Sequence, residues 1–168
     1  MAAEDILKYL SLVVDGRGYA GKIEEYNPPD LTLSTEDFRG GGMDAPIDIE
    51  MGMEKLTCSY VLTSYDADVL ALWGVKQGSG LQLTARGSLE SLDGTTKPVV
   101  HNMTGKLISV ARGTWGSGKK PSLTITQSLT YYREVHNQRT IMEIDKINMI
   151  RIIDGVDQLA EHRANIGL

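Results

Sequence analysis

The residues from Ser122 to Val135 constrain the fold most. Leu123, Ile125, Leu129, Tyr131 and Val135 fall on one parity, and Thr124, Thr126, Ser128, Thr130 and Tyr132 fall on the other. A helix repeats about every 3.6 residues and cannot gather such positions on one face, whereas a strand alternates with every residue. The run predicts a long, half-buried strand. Gln127 and Arg133 interrupt the apolar parity, so that face is not uniformly core.

Two more runs precede it. Leu81, Leu83, Ala85, Gly87 and Leu89 alternate with Gln82, Thr84, Arg86, Ser88 and Glu90. Asp93-Gly94 follows, and then a second run from Val99 to Val110. An Asp-Gly pair between alternating runs predicts a hairpin. Pro121, with Gly116 and Gly118 before it, separates that run from the Ser122 strand. Three consecutive antiparallel strands are therefore expected at the centre of the fold.

The first half reads as shorter strands. Leu10 to Val14 and Tyr19 to Glu25 flank Asp15-Gly16-Arg17-Gly18, a second hairpin signal, and Pro28-Pro29 then breaks the chain. Leu31, Leu33 and Thr35 alternate up to Phe38, Ile47, Ile49 and Met51 do so after a glycine-rich bend, and Leu56 to Leu62 completes the set. Ser64 or Asp66 can cap a helical turn that puts Val69, Leu70 and Trp73 on one face, with Gly74 as its stop. Near the end, Val156, Leu159, Ala160 and Arg163 sit at helical spacing after Asp154-Gly155, which predicts a helix from Val156 to Ile166 closed by Gly167. The expected fold is mainly β: one domain over residues 1–168, a two-sheet sandwich or partly closed barrel with a flanking short helix and a short C-terminal helix.

Chemistry is sparse. Gly113-Thr114-Trp115-Gly116-Ser117-Gly118-Lys119 matches the start of a phosphate-binding loop, but Lys120 stands where Ser or Thr must hold magnesium, and Pro121 follows. Such a loop must also lead into a helix, and this one leads into the strongest strand, so it reads as a hairpin loop. Arg39-Gly40-Gly41-Gly42-Met43 does not fit a dinucleotide fingerprint and reads as a loop, with a role in contacting a neighbouring subunit as the functional alternative. His101, His136 and His162 are far apart, without an i,i+4 pair or a Cys partner, so no metal or cofactor is expected. Cys58, the single cysteine, alternates with Leu56 and Tyr60 and reads as a small buried hydrophobe. No pattern points to catalysis.

The net charge of −5 argues against a nucleic-acid-binding surface. It does not argue against a surface that nucleic acid slides past. Glu4, Asp5 and Lys8 break up any apolar signal run, and no stretch approaches the ~18 apolar residues of a membrane span. The expectation is a chain without a membrane anchor, made and folded in a cytoplasm.

Several stretches resemble one known family. These are Leu12-Val13-Val14-Asp15-Gly16, Glu36 to Pro46 with Asp48-Ile49-Glu50-Met51-Gly52, Tyr131-Tyr132, Glu143-Ile144-Asp145, and the ending Gly155-Val156-Asp157-Gln158-Leu159-Ala160 with Arg163 and Ile166-Gly167-Leu168. The chain is similar to the major tail tube proteins of contractile phages, a family shared with R-type pyocins. It departs from the pattern at Leu12 to Val14, which lacks an aromatic before Asp15-Gly16, and at Asn27-Pro28-Pro29-Asp30. The resemblance implies six-membered rings that stack into a hollow tube, driven through a bacterial envelope by contraction of a sheath. It implies partners: further copies of the chain, a tail sheath protein, a tape measure protein, a baseplate hub and a tail terminator, with DNA passing through the bore unbound. It implies a place in the virion after assembly in the host cytoplasm. On this reading Arg39, Gly40, Gly41, Gly42, Met43, Ile47, Ile49, Met51, Asp157 and Leu159 contact neighbouring subunits or rings, and Thr124, Thr126, Ser128 and Thr130 line the bore. Val156, Leu159 and Ile166 are expected to be packed. Other tube proteins of this lineage, from secretion systems or non-contractile tails, and a monomeric ligand-binding β-barrel are the alternatives.

Overall fold

The computed structural model describes residues 4–168; Met1, Ala2 and Ala3, which open the run read above for a targeting signal, lie outside the described residues. In chain order the elements are β1 (Ile6–Val14), β2 (Arg17–Gly18), β3 (Ile23–Asn27), β4 (Leu33–Phe38), β5 (Ile47–Met53), β6 (Thr57–Leu62), α1 (Ala67–Leu70), β7 (Leu81–Glu90), β8 (Thr96–Ala111), β9 (Leu123–His136), β10 (Arg139–Asp145), β11 (Ile150–Ile153), β12 (Val156–Asp157) and α2 (Ala160–Ile166). Among the described residues ten strands form one sheet, and β4 with β5 forms a separate two-stranded one. No helix among the described residues is long and apolar enough to cross a membrane.

The expected centre is there. β7, β8 and β9 are consecutive antiparallel neighbours, and Asp93-Gly94 turns β7 into β8 with Thr95 N–H donating to Asp93 Oδ1 at 2.9 Å. β9 then splits the sheet. Its first half, Leu123 to Ser128, pairs with β6, and its second half, Tyr131 to His136, pairs with β10 on the same edge. The β6–β3 arm folds back over β7 and β1, so Leu12, Val14, Tyr60, Leu62, Leu83, Leu123 and Ile125 meet in one core cluster. Among the described residues β2 and β3 pair with only one strand each, so the sheet curls without closing into a barrel. Cys58 is buried in this core, and burial pushes its thiol up to about 12, consistent with a packing role.

The alternation of β9 holds only as far as Leu129. Gly105 pairs with Leu129 and Thr104 with Tyr131, which leaves Thr130 as an extra residue in a β-bulge. A bulge moves every later side chain to the other face. Tyr132, expected on the polar face, is therefore buried, while Tyr131 and Val135 point outward and are only half-buried. Gly105 makes this junction possible, since a Cβ there would overlap the Ser128 carbonyl. Gln127 does not interrupt the core: it is fully buried and donates to the Leu81 carbonyl at 3.0 Å.

Other expectations need correction. The Asp15-Gly16 turn is formed, but only Arg17 and Gly18 return along β1; Ile23–Asn27 crosses over to pair with β6. Asp66 is the cap of α1, accepting from Asp68 N and Val69 N, and Val69 is buried, but Trp73 is 58% exposed. The predicted C-terminal helix starts later than expected. Asp154 and Gly155 both take left-handed φ and form a hairpin turn, so Val156 and Asp157 pair with Ile153 and Ile152 as β12. The Asp-Gly turn preference outweighed the helical spacing downstream. Val156 and Ile166 are 61% and 63% exposed rather than packed, and Leu159 is half-buried. Strands β10 and β11 carry no strong alternation and were not expected. They follow from a two-residue turn at Asn137-Gln138, both with positive φ, and from an Asx turn in which Asp145 Oδ1 accepts from Ile147 N and Asn148 N.

Candidate functional site: an uncovered arm and a polar sheet face

β4 and β5 form a hairpin arm whose residues are exposed, apart from Met53 at its base. Its register pairs Phe38 with Ile47, Asp37 with Asp48, Glu36 with Ile49 and Thr35 with Glu50. Directly paired residues share a face and successive ones alternate. Phe38, Ile47 and Ile49, continued by Met51 and interrupted by Glu36 beside Ile49, therefore make a largely apolar side, opposite Thr35, Asp37, Asp48 and Glu50. These four apolar side chains are 51%, 52%, 42% and 57% exposed. Soluble monomers rarely leave such a contiguous patch open without a partner for it.

At the tip, Met43 folds back over the turn. Gly40 N–H donates to Met43 Sδ at 3.2 Å and Arg39 Nε donates to the Met43 carbonyl at 3.2 Å. Gly42 takes φ +90°, a left-handed conformation that favours glycine, and Gly41 faces open space. At the base, Leu31, Leu33 and Met53 face Met142, Ile144 and Ile153 across a groove of about 290 Å³, and Arg151 Nη1 pairs with Glu50 Oε1 at 2.6 Å. Gln158 lines this groove, so Asp157 and Leu159 flank the arm's base and not its tip. The Asp157 carboxylate is already engaged: Oδ1 accepts from Leu159 N at 3.0 Å, and Oδ2 pairs with Arg163, which also donates to the Met149 carbonyl. Arg163 holds its pKa below the ordinary carboxylate value.

Thr124, Thr126 and Ser128 share the outward face of β9, beside Thr57 and Ser59 of β6 and Lys106 and Ser109 of β8. Thr130 is separated from them by the bulge, and its hydroxyl donates to the Thr104 carbonyl at 3.2 Å. The face continues through Thr104, Asn102, Gln82 and Thr84. Its basic residues, Arg86, Lys106 and Arg133, are interspersed with Glu25, Glu90, Glu143 and Asp145.

The loop from Gly113 to Lys120 joins β8 to β9 and has no helix after it, so it lacks the frame of a phosphate site. Its Trp115 ring lies edge-on to Tyr65 at 5.5 Å, and Lys120 pairs with Glu24 at 3.0 Å. The histidines are not all apart, however: pairing of β8 with β9 brings His101 beside Glu134 and His136. Spacing along one chain could not reveal this, because the three residues meet only across the sheet.

The fold is thus a curled, open β-sheet with a projecting arm and an extended polar face. The chain belongs to the phage tail tube protein family: the family model of phage tail tube protein FII matches residues 4–167. It is a structural subunit of an inner tail tube. The tail tube protein of Escherichia phage P2 is 31% identical over 172 aligned residues, covering 100% of both chains. The major tail tube protein of Serratia phage KSP20 is 28% identical over 157 residues, covering 92% of this chain and 91% of the relative. Among solved structures, a chain of the PVC extracellular contractile injection system's sheath–tube complex in the extended state superposes with a TM-score of 0.56. It has 12% identity and covers 76% of this chain and 87% of that one. A chain of the same system's sheath/tube terminator gives 0.57 at 13% identity, over 76% and 92%. At these identities the likeness is one of fold.

Proposed function

We propose that the chain, a single tube domain over residues 1–168, assembles into six-membered rings that stack as the tube of a contractile phage tail, with the β4–β5 arm reaching onto an adjacent subunit or ring. The observation that carries this reading is the arm's largely apolar side, where Phe38, Ile47, Ile49 and Met51 are left 42–57% exposed by the described residues. The sheet edges support it. Among the described residues β1 is paired on its outer side only at Val13 and Val14, and Ile6, Leu7 and Tyr9 beyond that point are 45%, 55% and 76% exposed. Open, apolar edges invite pairing, and a closed ring uses them up.

In the assembled tube the face carrying Thr124, Thr126 and Ser128 lines the bore. Hydroxyl and amide groups with interspersed charges keep it hydrated without a run of cations to hold phosphates, so DNA passes without specific binding. The tube works with a sheath, a tape measure protein, a baseplate hub and a terminator. It is put together in the host cytoplasm and acts mechanically rather than as an enzyme.

Negative-stain electron microscopy of the purified chain across a concentration series, with mass photometry, tests this reading. Six-membered rings or stacked tubes are expected. Replacing Gly41 and Gly42 with bulky residues should leave a folded monomer that forms neither; normal tubes from that double variant would refute the arm's role.

A further inference from the structure

The register of the central hairpin gathers three metal-ligand types. His101 pairs with Glu134, and Val99 pairs with His136, on the same side of the sheet as the buried Met103 and Tyr132. One nitrogen from each imidazole and a carboxylate oxygen lie within 4.8 Å of one another. His136 Nε2 is 2.5 Å from Glu134 Oε1, and His101 Nε2 is 3.7 Å from the same oxygen. The side chains of His101 and Glu134 are 14% and 18% exposed, and that of His136 is 43% exposed.

Each of the two more buried groups is held from behind by a phenol. Tyr26 OH, from β3, lies 3.0 Å from His101 Nδ1 and donates to Met103 Sδ at 3.3 Å. In the tautomer that can ligate a metal through Nε2, Nδ1 carries the proton and the Tyr26 oxygen accepts from it while the phenol's own proton goes to the sulfur; Nε2 is the ring nitrogen that faces Glu134. Tyr132 OH donates to Glu134 Oε2 at 2.8 Å, leaving Oε1 toward the imidazoles. A ring nitrogen and a carboxylate oriented through their outer atoms are how proteins prepare metal ligands.

We propose that His101, Glu134 and His136 form a binding site for a divalent transition-metal ion of the zinc class, with His101 Nε2, His136 Nε2 and Glu134 Oε1 as ligands and solvent completing the shell. Donors on a tetrahedral zinc lie about 3.3 Å apart. The 3.7 Å separation of His101 from Glu134 already fits, and His136 must swing outward by roughly 1 Å. His136 is the last residue of β9 and is half open to solvent, so that movement disturbs no core contact. Two imidazoles and one carboxylate favour zinc, cobalt or nickel over calcium and magnesium, which prefer oxygen donors. The bound ion cross-links β8 to β9 at the end of the sheet, beneath Tyr26 of the covering strand.

The test uses the full chain without a histidine tag, stripped with EDTA. Zinc chloride is titrated in competition with a chromophoric chelator, and cobalt chloride is added to report coordination through its visible absorption. One ion per chain is expected. His136→Ala should weaken binding by about 100-fold and remove the cobalt bands, and Tyr26→Phe should weaken it by about 10-fold. Glu134→Gln, which keeps the side chain's shape, should behave like His136→Ala and serves if that variant does not fold. His162→Ala, which changes a histidine outside the cluster, should bind as the parent does. Wild-type zinc affinity no tighter than that of His136→Ala and Glu134→Gln, or cobalt bands unchanged in both, would overturn the proposal.

Discussion

The arm's part in assembly can be separated from its part in folding by Ile47→Thr with Ile49→Thr. Both residues lie on the arm's apolar side and are 52% and 42% exposed, so the monomer leaves about half of each side chain in water. Threonine keeps the β-branch and the strand preference. Monomer stability should therefore change by no more than about 0.5 kcal/mol at either site, as for ordinary surface positions. Covering the exposed half of an isoleucine is worth roughly 1 kcal/mol, since complete burial is worth about 1.5–3 kcal/mol. Burying the new hydroxyl without a partner adds to the loss. About 1–2 kcal/mol per site, or 2–4 kcal/mol for the pair, corresponds to a rise of about 30- to 700-fold in the concentration needed to form rings or tubes, by about tenfold per 1.4 kcal/mol. Thermal unfolding of the monomer, with mass photometry and electron microscopy over a dilution series, reads both quantities. Rings or tubes at the wild-type concentration would refute the argument. So would a large loss of monomer stability, because it would mean that the apolar side already packs within the chain.

Three further outcomes follow from the geometry. Gly105→Ala should destabilise the fold by about 2–3 kcal/mol in chemical denaturation, because its Cβ meets the Ser128 carbonyl, whereas Gly41→Ala should stay within about 0.5 kcal/mol; equal effects would show that the bulge tolerates a side chain. Arg151→Ala removes the partner of Glu50 at the arm's base, costing about 1 kcal/mol, so amide exchange in residues 33–53 should quicken about fivefold while β7 to β9 are unaffected; unchanged exchange would mean that the groove alone holds the arm. Asp157 has a folded pKa below its ordinary value, so its stabilising effect is present above the usual carboxylate range and is lost as pH falls through the folded value. Asp157→Asn should therefore reduce the drop in thermal midpoint on acidification, and an identical acid limb in both chains would count against the Arg163 pair.

What the residues determined by themselves was local and periodic. Alternation made β7 and the first half of β9 legible, because only a strand gathers every second residue on one face, and Asp93-Gly94 joined β7 to the run that forms β8 for reasons of turn geometry. Ser64 and Asp66 offered the cap that Asp66 takes, Cys58 announced its place in the core, and the Gly-Gly-Met loop with the Val-Asp-Gln-Leu ending carried the family resemblance. The tertiary structure decided whatever depends on a partner strand. The bulge at Thr130 arises from how β9 meets Gly105 across the sheet, and it alone turns Tyr132 inward and ends the polar row at Ser128. Strands β10 and β11 carry little alternation because their pairing is set by tight turns rather than by a buried face. The Asp154-Gly155 turn looked like a helix entrance because the helical spacing beyond it is real but begins at Ala160. The apolar side of the arm is an alternation in the chain and becomes an open surface only because the described fold leaves about half of those side chains in water. His101, Glu134 and His136 form a cluster only through the register between two strands, since side chains remote in sequence become neighbours when backbone hydrogen bonds set them opposite one another.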